Sequence, residues 1–181
     1  MTHPIRFLSA FAAFALALAH LQPAQAVVFN PESFTLSNGM QVVVITNHRA
    51  PVVTHMVWYK VGAADEPAGK SGIAHMFEHL MFKATRRRAS GEFSKIVARN
   101  GGRDNAFPSQ DYTAYHQTVA VDRLEIVMRL EADRMRGLLL NADEIETERQ
   151  VVLEERRSRT DNSPRGRLSE QFNASFYLNH P

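Results

Sequence analysis

Residues 71–79 read Ser-Gly-Ile-Ala-His75-Met-Phe-Glu78-His79, and the last five positions form the pattern H-x-x-E-H. We expect a helix here, from about Gly72 to Lys83. At about 100° per residue, both histidines then lie one turn apart on the same face, with the glutamate beside them. In this arrangement the two imidazoles can ligate one zinc ion, and the carboxylate lies next to the metal-bound water. The alternative is two core or surface histidines that happen to have this spacing.

A hydrolytic zinc site needs a third protein ligand and an open fourth position. A second predicted helix, from Asp143 to about Arg159, offers candidates. On a helical wheel, Glu148 and Glu155 share the apolar stripe, whereas Glu154 faces away. A carboxylate on a buried stripe is costly unless a cation or hydrogen-bond donors compensate it. The alternative is that both carboxylates form ion pairs on a solvated face with neighbouring arginines, namely Arg149, Arg156 and Arg159.

The composition excludes several classes of protein. The chain has 181 residues, of which 44% are hydrophobic, enough for one domain or part of one. It has 21 Lys plus Arg against 19 Asp plus Glu, and this net charge of +2 does not favour nucleic-acid binding. Because there is no cysteine, thiol proteases, zinc ribbons, iron–sulfur clusters and disulfides are excluded. Any metal site must therefore use His, Asp and Glu.

The amino terminus predicts a secretory signal peptide over residues 1–26. Arg6 precedes an apolar run from Phe7 to Ala19, and Ala24-Gln25-Ala26 matches an A-x-A cleavage site. The run is too short to span a bilayer, so we expect no stable membrane span after cleavage. A buried helix or an uncleaved anchor is the alternative. Export follows, to the periplasm if the source is a Gram-negative bacterium, and otherwise as a secreted protein.

The remaining residues predict an α+β fold with a mainly antiparallel sheet packed against helices. Ser71 can serve as the N-cap of the helix that carries the H-x-x-E-H pattern. The other predicted strands are Ser33–Leu36 and Gln41–Thr46, joined across Asn38-Gly39, then Pro51–Val61, Arg103–Phe107 and Tyr112–Ala120; the other predicted helices are Glu92–Arg99, Asp122–Leu140 and a final stretch to about Tyr177.

The pattern at His75, Glu78 and His79, followed later in the chain by Glu155, resembles the pitrilysin/insulinase family of inverted-motif zinc metallopeptidases. Two further stretches carry the resemblance: Val61-Gly-Ala-Ala-Asp-Glu66, and Gly101-Gly-Arg-Asp-Asn-Ala-Phe107 with Asp111-Tyr-Thr-Ala-Tyr115. The similarity covers most of residues 30–181. It implies the fold of a pitrilysin or mitochondrial processing peptidase domain, incomplete in this chain.

The resemblance also implies a zinc-dependent endopeptidase that hydrolyses extended or unfolded peptides, with zinc-bound water as the nucleophile. One zinc ion per catalytic domain is expected. The implied roles are zinc binding for His75, His79 and Glu155, general base for Glu78, support from behind the ligands for Glu148, hydrogen bonding to the peptide for Asn105 and Ala106, and a side-chain pocket for Phe107. The alternative function is a noncatalytic metal-binding or scaffold subunit that pairs with an active homologue.

The sequence departs from the family pattern at two points. Pro108 stands where a residue with an amide N–H is expected, so the edge strand is expected to end or bulge one step early. Family members have two homologous domains that enclose the substrate. We therefore expect residues 27–181 to be the N-terminal part of the catalytic domain, with a second homologous domain or paired subunit as the partner, peptides as substrates and no nucleic acid.

Overall fold

A computed structural model describes residues 30–177, which fall into two units divided after Ala50. The predicted signal peptide, residues 1–26, lies outside the described residues. None of the helices formed by residues 30–177 has the length and apolar content that crossing a bilayer requires.

The first unit contains an antiparallel hairpin. Strand β1 is Glu32–Thr35 and strand β2 is Gln41–Val44. Gly39 has φ +85°, a left-handed conformation that glycine adopts without strain, and Met40 N–H donates to Asn38 Oδ1 at 3.1 Å. The hairpin predicted across Asn38-Gly39 is therefore confirmed, with β1 shifted by one residue and β2 two residues shorter than expected.

The second unit combines one sheet with five helices. Its strands are β3 Val52–Tyr59, β4 Arg103–Pro108 and β5 Thr113–Ala120, all antiparallel in the order β3-β5-β4. Its helices are α1 Ile73–Leu80, α2 Glu92–Arg99, α3 Leu124–Gly137, α4 Ala142–Arg156 and α5 Pro164–Phe176. The predicted α+β class with an antiparallel sheet and packed helices is confirmed.

The core lies between one face of this sheet and helices α2 and α3. Burial alternates along β3, as expected for a strand with one covered face. The buried cluster consists of Phe93, Val97, Val119, Val127 and Leu130. Strand β5 is the central strand, and it therefore anchors the edge strand β4.

A charged pair is buried beside this core. The Arg134 side chain is only 1% exposed, and its guanidinium lies 4.4 Å from the ring centre of Phe93 and 4.3 Å from that of Tyr115. Glu131 accepts hydrogen bonds from Arg134 Nε at 3.0 Å and from Gln117 Nε2 at 2.6 Å. The pair ties α3 to β5 and α2.

The expectation that the edge strand ends or bulges before Pro108 is wrong. The register of β4 on β5 continues without a bulge to Pro108, which lies opposite Thr113. Ser109 N–H donates to the Tyr112 carbonyl at 2.8 Å. Since the backbone groups along an antiparallel strand point alternately toward and away from the partner strand, the backbone N and C=O of Ala106 and Pro108 point away from β5. Since a residue at such a position donates nothing to the ladder, proline costs no ladder bond there.

Three predicted helices also have different boundaries in the structure. The helix expected to reach Lys83 ends at Leu80. The helix expected over Asp122–Leu140 is α3, which spans only Leu124–Gly137 and is preceded by a 3₁₀ turn at Val121–Arg123. The helix expected to reach Arg159 ends at Arg156 and continues as a π-helical turn, Arg157–Asp161. The final helix ends at Phe176, close to the expected boundary.

Candidate metal centre

Helix α1 begins with a cap that comes from outside the helix. Gly72 is its N-cap, in a left-handed conformation with φ +99°, and Ser71 does not cap it, contrary to expectation. Instead the buried carboxylate of Glu66 accepts hydrogen bonds from Gly72 N–H at 2.9 Å and from Ala74 N–H at 2.7 Å. A carboxylate at this end satisfies free amides and complements the helix dipole. It fixes the first turn, from which His75 projects.

Three side-chain atoms converge at one point between α1 and α4. His75 Nε2 lies 3.2 Å from His79 Nε2, and Glu155 Oε2 lies 3.2 Å and 3.3 Å from these two nitrogens. The three atoms thus form a nearly equilateral triangle. These residues also form the one group of potential metal ligands found among residues 30–177.

The triangle fits a zinc ion. Ligand atoms at about 2.0 Å from a tetrahedral zinc lie about 3.3 Å apart, close to the three separations seen here. Glu155 Oε2 is buried and accepts no hydrogen bond from the described residues, although both imidazole nitrogens are near. A buried carboxylate oxygen without a donor is costly, and a bound cation would compensate it.

Glu148 orients one of the histidines from behind. Its Oε1 accepts a hydrogen bond from His79 Nδ1 at 2.7 Å, and its Oε2 forms an ion pair with Lys83 Nζ. Because an ionised carboxylate only accepts, Nδ1 carries a proton, and in the neutral imidazole this leaves the lone pair on Nε2. Burial alone would raise the pKa of Glu148, but the hydrogen bonds from Lys83 and His79 outweigh burial and hold its pKa below the ordinary value.

The two neighbouring glutamates of α4 separate as the helical wheel predicted. The Glu155 side chain is 20% exposed and points to the histidines, whereas that of Glu154 is 70% exposed and pairs with Arg157. The alternative that these carboxylates pair with neighbouring arginines is correct for one of them, since Arg159 Nη2 contacts Glu155 Oε1 at 2.5 Å. The other carboxylate oxygen remains directed at the histidines. Arg149 and Arg156 pair elsewhere, with Glu146 and Glu170.

Glu78 stands beside the three converging atoms without joining them. Its Oε2 is 3.8 Å from His75 Nε2, and its side chain is 14% exposed. It is absent from the group that could hold a metal ion. A carboxylate at this distance can exchange a proton with a molecule held at the centre.

The same side chains line a cleft of about 540 Å³ next to the edge strand. Asn105, Ala106 and Phe107, the residues expected to bind peptide, all line it. Ala106 N–H donates to Asn105 Oδ1 at 2.9 Å instead of to β5, which places this amide at the open side of β4. The structure therefore brings every site residue expected from the sequence to one cleft.

Lys83 and Glu66 contribute to this arrangement and were not expected from the sequence, whereas Arg159 was named there as a possible ion-pair partner of Glu155. Lys83 follows His75 and His79 at the same four-residue spacing, and this signal could have revealed it. No comparable signal exists for Glu66, because its contacts depend on how the turn before the helix folds.

A mixed α/β chain with two histidines and a glutamate gathered in an open cleft has the ligand set of a protein that could hold a metal ion. A family profile described as Insulinase (Peptidase family M16) matches residues 41–181. The chain therefore belongs to the insulinase family of peptidases, and the resemblance seen in the sequence is confirmed.

Individual relatives agree with this assignment. The zinc protease PqqE of Helicobacter pylori is 48% identical over 159 residues, which make up 87% of this chain and 36% of the relative. A crystal structure of a protease from Helicobacter pylori matches with 50% identity and a TM-score of 0.75, over 77% of this chain and 34% of the other. The crystal structure of pitrilysin, at 23% identity and a TM-score of 0.65 over 77% of this chain and 15% of that one, shares the fold. The chain spans about a third of the length of the curated relatives it matches.

Proposed function

We propose that the protein is a zinc-dependent endopeptidase that hydrolyses extended or unfolded peptides. The observation that carries the proposal is the triangle of His75, His79 and Glu155 with Glu78 beside it in an open cleft. A purely structural zinc site needs no base next to its ligands, whereas a hydrolytic site does. The relatives named zinc proteases support the same function.

The roles of the chain's own residues follow from this geometry. His75, His79 and Glu155 would hold the zinc ion, which supplies a Lewis acid and lowers the pKa of water to about 7 when bound. Glu78 takes a proton from the attacking water and later delivers it to the leaving amine. Glu148 and Lys83 act behind His79, keeping its ring oriented with Nε2 available.

The substrate would bind as an added strand along β4. The backbone groups of Ala106 lie at the open edge, and a peptide strand would pair with them by taking the place of Asn105 Oδ1 at the Ala106 N–H. Phe107 packs against two aromatic rings, with its centroid 5.7 Å from that of Trp58 and 6.2 Å from that of Tyr112. This aromatic group would receive an apolar side chain of the peptide. Backbone pairing favours unfolded over folded substrates.

We further propose that a second homologous domain or a paired subunit completes the enzyme, since the chain spans only about a third of its relatives. Residues 27–181 would then be the N-terminal part of the catalytic domain. The A-x-A site at Ala24–Ala26 supports cleavage of residues 1–26 and export to the periplasm or the medium.

The test is Glu78→Gln in the protein together with its second homologous domain. Glutamine keeps the shape of the side chain but cannot act as a base. We expect zinc content and peptide binding to persist, while hydrolysis of an unstructured peptide falls by about 10² to 10⁴-fold. Trp58 is the single tryptophan of the chain and contacts Phe107, so its fluorescence should report peptide binding separately from hydrolysis. The measurement needs a partner domain without tryptophan, or subtraction of that domain's own fluorescence.

The matched control is Glu154→Gln, which removes an exposed carboxylate of the neighbouring helix. Unchanged cleavage by Glu78→Gln with zinc in place would contradict the mechanism. If the unmodified protein binds zinc and yet cleaves no peptide with any partner, the scaffold function replaces the peptidase function.

A further inference from the structure

A second cleft lies where the segment after α1 meets the end of α3. Leu139 N–H donates to the Ala84 carbonyl at 2.8 Å, and Arg86 N–H donates to the Gly137 carbonyl at 2.8 Å. These bonds form an isolated antiparallel bridge between Thr85 and Leu138. The segment that carries three consecutive arginines is thereby held in a fixed position on α3.

This cleft has a volume of about 650 Å³ and is lined mainly by arginines. We name it the arginine cleft; its charged lining residues are Arg86, Arg87, Arg88, Arg129, Asp133 and Arg136. No residue of the arginine cleft lines the cleft of the metal centre, so it is a separate feature of the surface described by residues 30–177.

The walls of the arginine cleft come from two parts of the chain. Arg129 and Arg136 stand on one face of α3, and the segment of residues 86–88 forms the opposite wall. The remaining lining residues are Asp133 and the small residues Ala132 and Gly137, which take up little of the cleft. The sequence alone showed three adjacent arginines, whereas the fold adds two from a distant helix.

An internal contact makes this arrangement rigid. Asp133 Oδ2 accepts hydrogen bonds from Arg88 Nη1 at 2.5 Å and from Thr85 Oγ1 at 2.6 Å. The Thr85 hydroxyl oxygen in turn accepts from the backbone N–H groups of Arg87 and Arg88, at 3.2 Å and 3.1 Å. The segment is thus ordered before any ligand arrives, which lowers the entropic cost of binding.

The charge of the arginine cleft is not balanced by its surroundings. Five arginines and one aspartate give a formal charge of +4, so the remainder of a chain of net charge +2 carries −2. Asp133 pairs with Arg88, and Glu125 pairs with Arg129 from the rim. Arg86 and Arg136 have no ion pair with any residue between 30 and 177. A cleft lined by one sign of charge concentrates potential and attracts counter-ions.

We propose that the arginine cleft binds a compact, multiply charged phosphate group, such as a di- or triphosphate. Guanidinium groups bind phosphate oxygens through paired, charge-assisted hydrogen bonds, and no lysine lines this cleft. A triphosphate places several negative charges within one small volume, where five arginines face only Asp133 in the cleft and Glu125 at its rim. A single peptide carboxylate supplies only one charge. The proposal does not depend on the function of the metal centre.

The test is calorimetric titration of the protein with inorganic tripolyphosphate, comparing two double variants. Arg86→Gln/Arg136→Gln removes the two unpaired arginines of the cleft, both of which are exposed. Arg165→Gln/Arg167→Gln removes the same charge from exposed positions of α5. Both variants keep the metal centre, so chelation of zinc contributes equally. We expect the dissociation constant to rise by at least about tenfold in the cleft variant, with little change in the control.

The source of the phosphate is resolved by a second arm with vesicles that contain phosphatidylinositol 4,5-bisphosphate, a lipid whose headgroup is multiply phosphorylated. Binding of vesicles that is lost in the cleft variant identifies a lipid headgroup, whereas binding of tripolyphosphate without vesicle binding identifies a free phosphate compound. Either result supports the proposal. An equal loss in both variants shows nonspecific attraction by net charge and overturns it. It is also overturned by the absence of tripolyphosphate binding, or by binding of hexaglutamate that matches or exceeds that of tripolyphosphate.

Discussion

Glu154 and Glu155 are adjacent in the chain but have opposite roles in the structure, one paired with Arg157 at the surface and one facing two histidines. Glu155→Gln should lower zinc affinity by more than about 100-fold, because even changes behind metal ligands commonly cost about 10 to 100-fold. Glu154→Gln should leave the affinity nearly unchanged. Competition with a zinc chelator measures both. A larger loss from Glu154→Gln would show that the orientation of α4 is wrong.

Lys83 compensates the buried carboxylate of Glu148. Lys83→Met leaves this carboxylate without its cation and should lower the free energy of unfolding by about 1 to 3 kcal/mol. In a Glu148→Gln background the same change should cost little, since no charge remains to be compensated. Urea unfolding of the four proteins gives the coupling, and Lys95→Met, at an exposed position of α2, is the control. Additive effects would contradict the ion pair.

At the scale of a single helix, the start of α1 depends on Glu66. Glu66→Ala removes the acceptor for Gly72 and Ala74 and should lower the free energy of unfolding by about 1 to 3 kcal/mol. Glu66→Gln retains one acceptor oxygen and should cost less. Ser71→Ala should have almost no effect, because this side chain does not cap the helix. Urea unfolding distinguishes the three variants, and a larger loss from Ser71→Ala than from Glu66→Ala would refute the assignment.

The elements themselves were predictable because their signals are local. Helical spacing located α1 and α4, and alternating residues located β5. The errors occur where a distant group decides the outcome. Glu66 reaches the helix start from a preceding turn, and Pro108 is tolerated because of the direction in which its nitrogen faces. Neither fact can be derived from neighbouring residues in the sequence.

Across the whole second unit, the buried pair of Glu131 and Arg134 links helices to the sheet. Arg134→Leu leaves Glu131 buried without its cation and should lower the free energy of unfolding by about 3 to 5 kcal/mol. Arg129→Leu on the same helix breaks an exposed pair with Glu125 and should cost at most about 1 kcal/mol. Denaturant unfolding compares them. Equal losses would mean that burial of the pair has no energetic consequence.

The residues at the centre of the candidate site were predictable, and their surroundings were not. The H-x-x-E-H pattern selects His75 and His79, the wheel of the later helix leaves Glu148 and Glu155 as candidates, and the family resemblance selects Glu155. The fold brings His75, His79 and Glu155 within hydrogen-bond distance. The ion pair of Lys83 with Glu148 and the convergence of the arginine cleft arise from packing of segments far apart in sequence. Pattern analysis of a single chain contains no information on such distances.

The open edge of β4 has a cost for solubility. In the sheet formed by residues 30–177, one side of β4 pairs with no other strand. An edge that can pair with a peptide can also pair with β4 of a second copy of the protein. The exposed charge of Arg103 at one end and Pro108 at the other both disfavour such pairing. The proline that shortens the donor row available to a substrate thus also protects the protein against edge-to-edge aggregation.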